Sequence, residues 1–335
     1  MNPRAAGKEC RMRKFAALLL CFLLLCGAAL AEEASFGGVS FDTSSEYIDL
    51  GDITVRDWGA FTAFLRKFPN LKKVDMYAAP ITAGYVKKLK EAFPDVTFGW
   101  YLQMMRYHFV RTDANAYSAL DGSHPRHTDE EFSLLKYCPG LLALDLGHND
   151  IREASFLESM PDLRVLILAE NPNLKNVERI ASLQNLEYLE LFSCGIEDIS
   201  PLTKLTNLMD LNLSNNRVKD WRPLKEMKWL RRLWISGMCT GNRKKQELTA
   251  AERQELEEAL PYTEIVYTGE PTSKGWRWLS KNNPAPHYAV ILEMFYGETQ
   301  YYVPFEESPP LPGEIQAGLS VDDTEIEEET LNDTY

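Results

Sequence analysis

Between residues 141 and 240, apolar and polar positions follow a fixed order that returns every 22 or 23 residues. The first copy places Leu141, Leu144, Leu146, Asn149 and Ile151 in the pattern L-x-x-L-x-L-x-x-N-x-I. The second has Leu163, Leu166, Leu168 and Asn171, with Leu174 one place late. Leu186, Leu189, Leu191, Cys194 and Ile196 form the third, and Leu208, Leu211, Leu213, Asn216 and Val218 the fourth. A decayed fifth copy keeps Leu230, Leu233 and Ile235. The L-x-L core alternates with period two, which predicts a short strand with one face turned inward. A second apolar pair recurs further on: Leu157 with Met160, Ile180 with Leu183, Leu202 with Leu205, and Leu224 with Met227. Apolar residues three apart make one inward stripe of a short helical turn, and Pro201 and Pro223 suit its start. Each unit is therefore a strand, a turn and a brief return segment. None can bury its apolar face alone, so the units stack.

This pattern is the leucine-rich-repeat signature. It predicts an α/β solenoid, right-handed, with a parallel β-sheet on the concave face and short 3₁₀ or α segments on the convex face. The Asn of each copy turns the chain off the strand, and its buried amide can bond backbone groups of adjacent turns. Cys194 holds the same place and is read as a ladder residue, not a reactive thiol. From Leu174 to the next repeat start is 12 residues, as in the other copies, so the extra residue of the second copy falls between Asn171 and Leu174. Residues 196–202, Ile-Glu-Asp-Ile-Ser-Pro-Leu, resemble the 22-residue bacterial subclass seen in internalins. The resemblance covers roughly residues 135–240 and is specific for the fold but not for the partner; internalins are surface adhesion proteins, and a protein is the partner expected first.

Longer units flank the array. Helices are expected from Asp57 to Lys67, after Thr82, and after Thr249, where Glu252 completes a capping box. Residues 45–140 are read as helix-bearing repeats with an insertion that breaks the period from 101 onward, and residues 241–270 as a helix–strand cap. The aromatic and Pro-rich stretch 271–313 is expected to pack irregularly on the last repeat. From 314 to 335 eight acidic residues stand without Lys or Arg, which predicts a solvated, disordered tail. At the other end, Arg4, Lys8, Arg11, Arg13 and Lys14 precede an apolar run from Phe15 to Cys26 and an Ala29-Leu30-Ala31 site. Residues 1–31 thus read as a secretory signal peptide cleaved after Ala31, with a retained anchor as the alternative. The mature protein is expected to be secreted or associated with the cell surface, with no membrane span left.

Charge narrows the partner. The chain carries −13, and residues 1–31 contribute +4, leaving the remainder near −17. A nucleic-acid partner is therefore not expected. Cys138, Cys194 and Cys239 match neither a disulfide framework nor a zinc pattern. His124, His127 and Glu130 come nearest to a metal set, but the two histidines lie on a loop before the helix capped at Thr128, where their geometry is unconstrained. No catalytic motif, metal site or cofactor fingerprint stands out. What the repeat does create is a surface. One concave column reads Ala143, Val165, Tyr188, Asp210 and Arg232; the next reads Asp145, Ile167, Glu190, Asn212 and Trp234. A third holds Gly147, Ala169, Phe192, Ser214 and Ser236. With strands about 4.8 Å apart, Tyr188, Phe192 and Trp234 share one footprint, and aromatics of this kind are enriched in binding hot spots. Asp145, Glu190 and Asp210, with Arg232 and Asn212, complete the expected partner-binding face. Its acidity suits a basic or hydroxyl-rich partner, so a glycan is the alternative to a protein.

Overall fold

The computed structural model describes residues 32–106, 108–119, 126–241, 244–267 and 274–296. The signal-peptide and acidic-tail expectations, and His124, lie outside the described residues. Two compact units divide between Tyr101 and Leu102. That division falls within the stretch taken from sequence as one helix-bearing region, 45–140.

The first unit opens with an antiparallel hairpin, β1 (Glu33–Phe36) and β2 (Val39–Asp42). Strand β3 (Tyr47–Asp49) then pairs in parallel with β4 (Lys73–Thr82), setting Ile48 against Val74. Between them α1 (Trp58–Leu65) starts where the Asp57 carboxylate accepts from the Ala60 amide at 2.9 Å. Its buried side chains are Phe61, Phe64 and Leu65. Phe36 packs on Phe61 and Phe64 at 5.1 and 5.2 Å, so the hairpin closes over the helix through aromatic contact. Helix α2 (Ala83–Ala92) follows Thr82, whose hydroxyl makes no capping bond, and leads to β5 (Thr97–Met105).

The second unit continues through β6 (His108–Arg111) and β7 (Ala116–Ser118) to the repeats. Their strands are β8 (Ala143–Asp145), β9 (Val165–Ile167), β10 (Tyr188–Glu190), β11 (Asp210–Asn212) and β12 (Arg232–Trp234). A short antiparallel pair, β13 (Cys239–Gly241) and β14 (Lys244–Gln246), precedes α3 (Ala250–Ala259) and β15 (Glu264–Val266). Seven strands form one parallel sheet in the order β15-β12-β11-β10-β9-β8-β7. The register puts Leu144, Leu166, Leu189, Leu211 and Leu233 in one inward row, with Ile265 and Tyr117 at its ends. The stretch read as breaking the period therefore contributes a strand of its own: Ala116 pairs with Ala143, and Tyr117 fills the place a Leu holds elsewhere. A Tyr in a repeat of irregular length hid that strand from the pattern.

The returns are 3₁₀ turns at Ser155–Ser159, Ile180–Ser182, Ser200–Lys204 and Arg222–Glu226. Pro201 and Pro223 sit in their first positions, and Leu157, Ile180, Leu202 and Leu224 are fully buried. The Asn ladder is present. Asn171 Nδ2 donates to the Leu146 and Leu168 carbonyls at 3.0 and 2.8 Å, and its Oδ1 accepts from Ile151 N at 2.9 Å. Asn216 does the same with Leu191, Leu213 and Ile196. Cys194 Sγ reaches the Leu168 carbonyl at 3.2 Å and, more weakly, the Phe192 carbonyl at 3.8 Å, and burial pushes its thiol up to about 12. Finally, α3 begins with the expected capping box between Thr249 and Glu252, while Glu252 also accepts from Trp221 Nε1 at 3.2 Å.

Candidate functional site

The concave face of the second unit is not open. Residues 274–296 cross it as a strap: a small hairpin of β16 (Trp278–Ser280) and β17 (Asn283–Pro284), then helix α4 (Pro286–Tyr296). Of the stretch 271–313 expected to pack irregularly on the last repeat, residues 274–296 are described; they do pack on Trp234 and Arg232 of that repeat, and the expectation is corrected only in part. The strap contains a helix, and it reaches back to β7 and β8 at the far end of the sheet. Gly275 begins the crossing at φ +87°, a backbone state that costs glycine little and that brings it against the Trp234 ring.

The expected partner-binding residues are brought together but covered. Tyr188, Glu190, Asp210 and Asn212 are fully buried, and Asp145, Arg232 and Trp234 nearly so. Phe192 is half-buried at the edge of the same cluster. Their expected exposure to solvent is therefore corrected, for a simple reason: the aromatics offered by the sheet are matched by an aromatic from the strap. Trp276, wholly buried, lies between Tyr188 and Trp234 with its ring centre 5.6 Å from each. The Arg232 guanidinium stacks 3.9 Å over the Trp276 ring and donates to the Trp276 carbonyl at 2.8 Å. Trp276 Nε1 donates to Glu190 at 3.1 Å.

Charge is matched as closely. Arg277 forks onto both oxygens of Glu190 at 3.1 and 2.8 Å, and Tyr188 donates its hydroxyl to the same carboxylate. Arg232 holds Asp210 through two bonds at 3.1 and 2.6 Å, and His287 Nδ1 lies 2.9 Å from the other Asp210 oxygen. Burial pushes the Asp210 carboxyl upward, but Arg232 and His287 outweigh it and hold the group below the usual carboxylate range. Burial likewise works against the Arg277 charge, and Glu190 outweighs it, so Arg277 stays protonated. Asp145 has no such partner at hydrogen-bond distance except the Gly147 amide at 3.0 Å, and burial pushes it up to about 6. Ile291 and Met294 of α4 complete the apolar seal.

The sequence marks the stretch 271–313 as aromatic, but its reading missed Arg277 and His287 as partners of the concave acids. The available signal was the concave column itself. Glu190 and Asp210, central in a stacked sheet, required cations, and Arg232 alone could not serve both. Among the described residues no cluster of His, Cys, Asp and Glu could hold a metal ion. Cys138 is buried and its thiol is pushed up to about 12, so neither it nor Cys194 is an available nucleophile.

A parallel sheet of short strands joined through 3₁₀ turns and sealed by an Asn ladder defines a leucine-rich-repeat protein, with repeats of the internalin-like, 22-residue kind. No family model matches the chain. Internalin C2 of Listeria monocytogenes is 34% identical over a match covering 36% of this chain and 51% of that one, with a TM-score of 0.33. Internalin F of the same organism is 18% identical, covering 62% and 64% of the two chains, with a TM-score of 0.35. Among curated proteins, a prokaryotic Roc-COR-CHAT protease is 33% identical over 87 residues, 26% of this chain. The match spans only 8% of that protein's length.

Proposed function

We propose that the chain is an exported, non-catalytic recognition module that binds a protein partner through the concave face of its parallel sheet. The observation that supports this reading is that the face already holds a polypeptide segment. Its own strap is gripped by an aromatic sandwich, a forked ion pair and an arginine stacked on a ring, the contacts that carry most binding energy at protein interfaces. Tyr188, Phe192, Trp234, Glu190, Asp210, Arg232, Asp145 and Asn212 form that receptor surface. The acidic balance of the chain favours a partner with exposed basic residues. Export through residues 1–31 would place the module outside the cytoplasm or on the cell surface.

The test is photo-crosslinking of the exported protein in its own cells, with a crosslinker placed at Phe192 and identification of the captured product by mass spectrometry. A protein crosslinked at Phe192 and not at a convex control position such as Thr203 is the expected result. Retention by purified cell-wall sacculi without any protein crosslink would replace the protein partner with a glycan. Turnover of a substrate by the purified chain would overturn the non-catalytic reading.

A further inference from the structure

The strap meets the concave face incompletely, and the mismatch is polar. Asn212 and Ser214 are buried in neighbouring columns of the concave face, and neither Asn212 Nδ2 nor Ser214 Oγ has a hydrogen-bond partner among the described residues. A buried donor without an acceptor is costly, and a covering element selected only to complete the core would be expected to satisfy both. The strap also buries Arg277 with Glu190 and sets His287 beside Asp210, and taking such polar groups out of water offsets part of what they gain. Its outward side remains open: Leu279 at the hairpin tip and Tyr296 at the end of α4 are 59% and 65% exposed. The interface is thus anchored by the Trp276-Arg277 pair and the apolar side of α4, and leaves two polar groups of the face unbonded.

We propose that residues 274–296 are a displaceable internal competitor, and that the natural occupant of the groove is an extended peptide segment presenting an aromatic residue followed by arginine. This rests on the concave-face reading above and names its ligand. The aromatic ring takes the slot between Tyr188 and Trp234, under the Arg232 guanidinium. The arginine takes both oxygens of Glu190. An incoming backbone or side chain that also reaches Asn212 Nδ2 and Ser214 Oγ satisfies the two groups the strap leaves unbonded, which gives the external segment its advantage. Because the strap is tethered, it competes at high effective concentration, so the groove is masked until such a partner arrives.

Full-length protein tests this in two ways. A fluorescent peptide spanning residues 274–296 is titrated onto the wild type and onto the W276A/R277A variant, which weakens the strap without touching the sheet. The expected result is at least tenfold tighter binding to the variant, lost again when E190Q is added. Equal binding to both proteins, or none to a variant that keeps its helical and strand signal, overturns the proposal. Hydrogen exchange on the wild type gives an answer that does not depend on how the variant folds. Amides of α4 should exchange at least a hundredfold faster than those of β9 to β11, while equal protection would make the strap a fixed part of the core. A positive peptide result with crosslinks only outside the groove would sink the concave-face function and leave the strap chemistry standing; the reverse pattern would sink the ligand assignment alone.

Discussion

Asn171 shows how one side chain can hold two neighbouring turns of the solenoid together. Its amide reaches two carbonyls, Leu146 and Leu168, and takes the Ile151 N–H, all in a place with no solvent. Removing it orphans the buried Ile151 N–H and takes one bond from each carbonyl, leaving Leu146 with Asn149 Nδ2 and Leu168 with Cys194 Sγ. Asn171→Ala should therefore lower unfolding stability by about 3 kcal/mol, summing roughly 1 kcal/mol for each lost bond. A urea melt with unchanged slope would register this as a lower midpoint; a shift under about 1 kcal/mol would mean the ladder bonds are dispensable. The Cys194 exception has a local cause. The extra residue of the second repeat closes a turn in which Leu174 N donates to the Asn171 carbonyl at 3.0 Å. The N–H that a ladder Asn at 194 would have taken is already bonded, and a small S–H donor suffices. The same bulge presses on Gly195, where a Cβ would come 2.7 Å from the Pro172 carbonyl oxygen. Gly195→Ala should cost about 1–3 kcal/mol by overpacking. Thermal denaturation of that variant beside wild type is the check, and an unchanged midpoint would show that the bulge can yield.

Among whole elements, legibility followed periodicity. The strands β8 to β12, the 3₁₀ returns and the capping box of α3 could be read because each repeats or carries its own local signal. Strand β7 could not, since Tyr117 stands alone at an irregular distance from the next repeat. The helix α4 was masked by Pro284 and Pro286 at its start and by an apolar composition that fits coil packing as well as a helix. One periodic feature is invisible in the hydrophobic pattern. His148, Glu170, Ser193, Asn215 and Gly237 all adopt left-handed backbone, with φ from 57° to 62°. Each stands one residue before the ladder position, turning the chain sharply off its strand. Gly237, Asn215 and His148 are residue types enriched in this state; Glu170 and Ser193 are not. Glu170→Gly should then stabilise the protein, because relief of the left-handed penalty, about 1 kcal/mol, exceeds the added freedom of the unfolded chain. Ser193→Gly should move the same way by a smaller amount, having less side chain to lose. Differential scanning calorimetry reads both, and a fall in the Glu170→Gly midpoint would show that its side-chain contacts outweigh the backbone strain.

For the second unit taken whole, the consequence of a covered concave face is a buried acid that should make stability depend on pH in an unusual direction. Asp145 faces Arg277 of the strap and Glu190 of β10, lies near Tyr288 of α4, and accepts from the Gly147 amide. Burial outweighs the cation, and the carboxyl moves from an ordinary 3.8 to about 6. The folded state therefore binds this proton more tightly than the unfolded chain does. Stability contributed by the protonated form is fully present below about pH 4 and is lost as pH rises through 6, a swing on the order of 3 kcal/mol for a shift of about two units. Asp210 does not cancel it in that window. Its carboxyl sits below the usual range, so its contribution is complete above pH 4 and is lost only in stronger acid. The thermal midpoint of the wild type should accordingly rise by several degrees between pH 7 and pH 5. Asp145→Asn keeps the acceptor for Gly147 and removes the charge, so at pH 7 it should match the wild type at pH 5 and show a flat profile across the window. This separates a masked groove from an open one. If Asp145 were solvated, its carboxyl would titrate near 4, and both proteins would hold the same midpoint from pH 5 to pH 7.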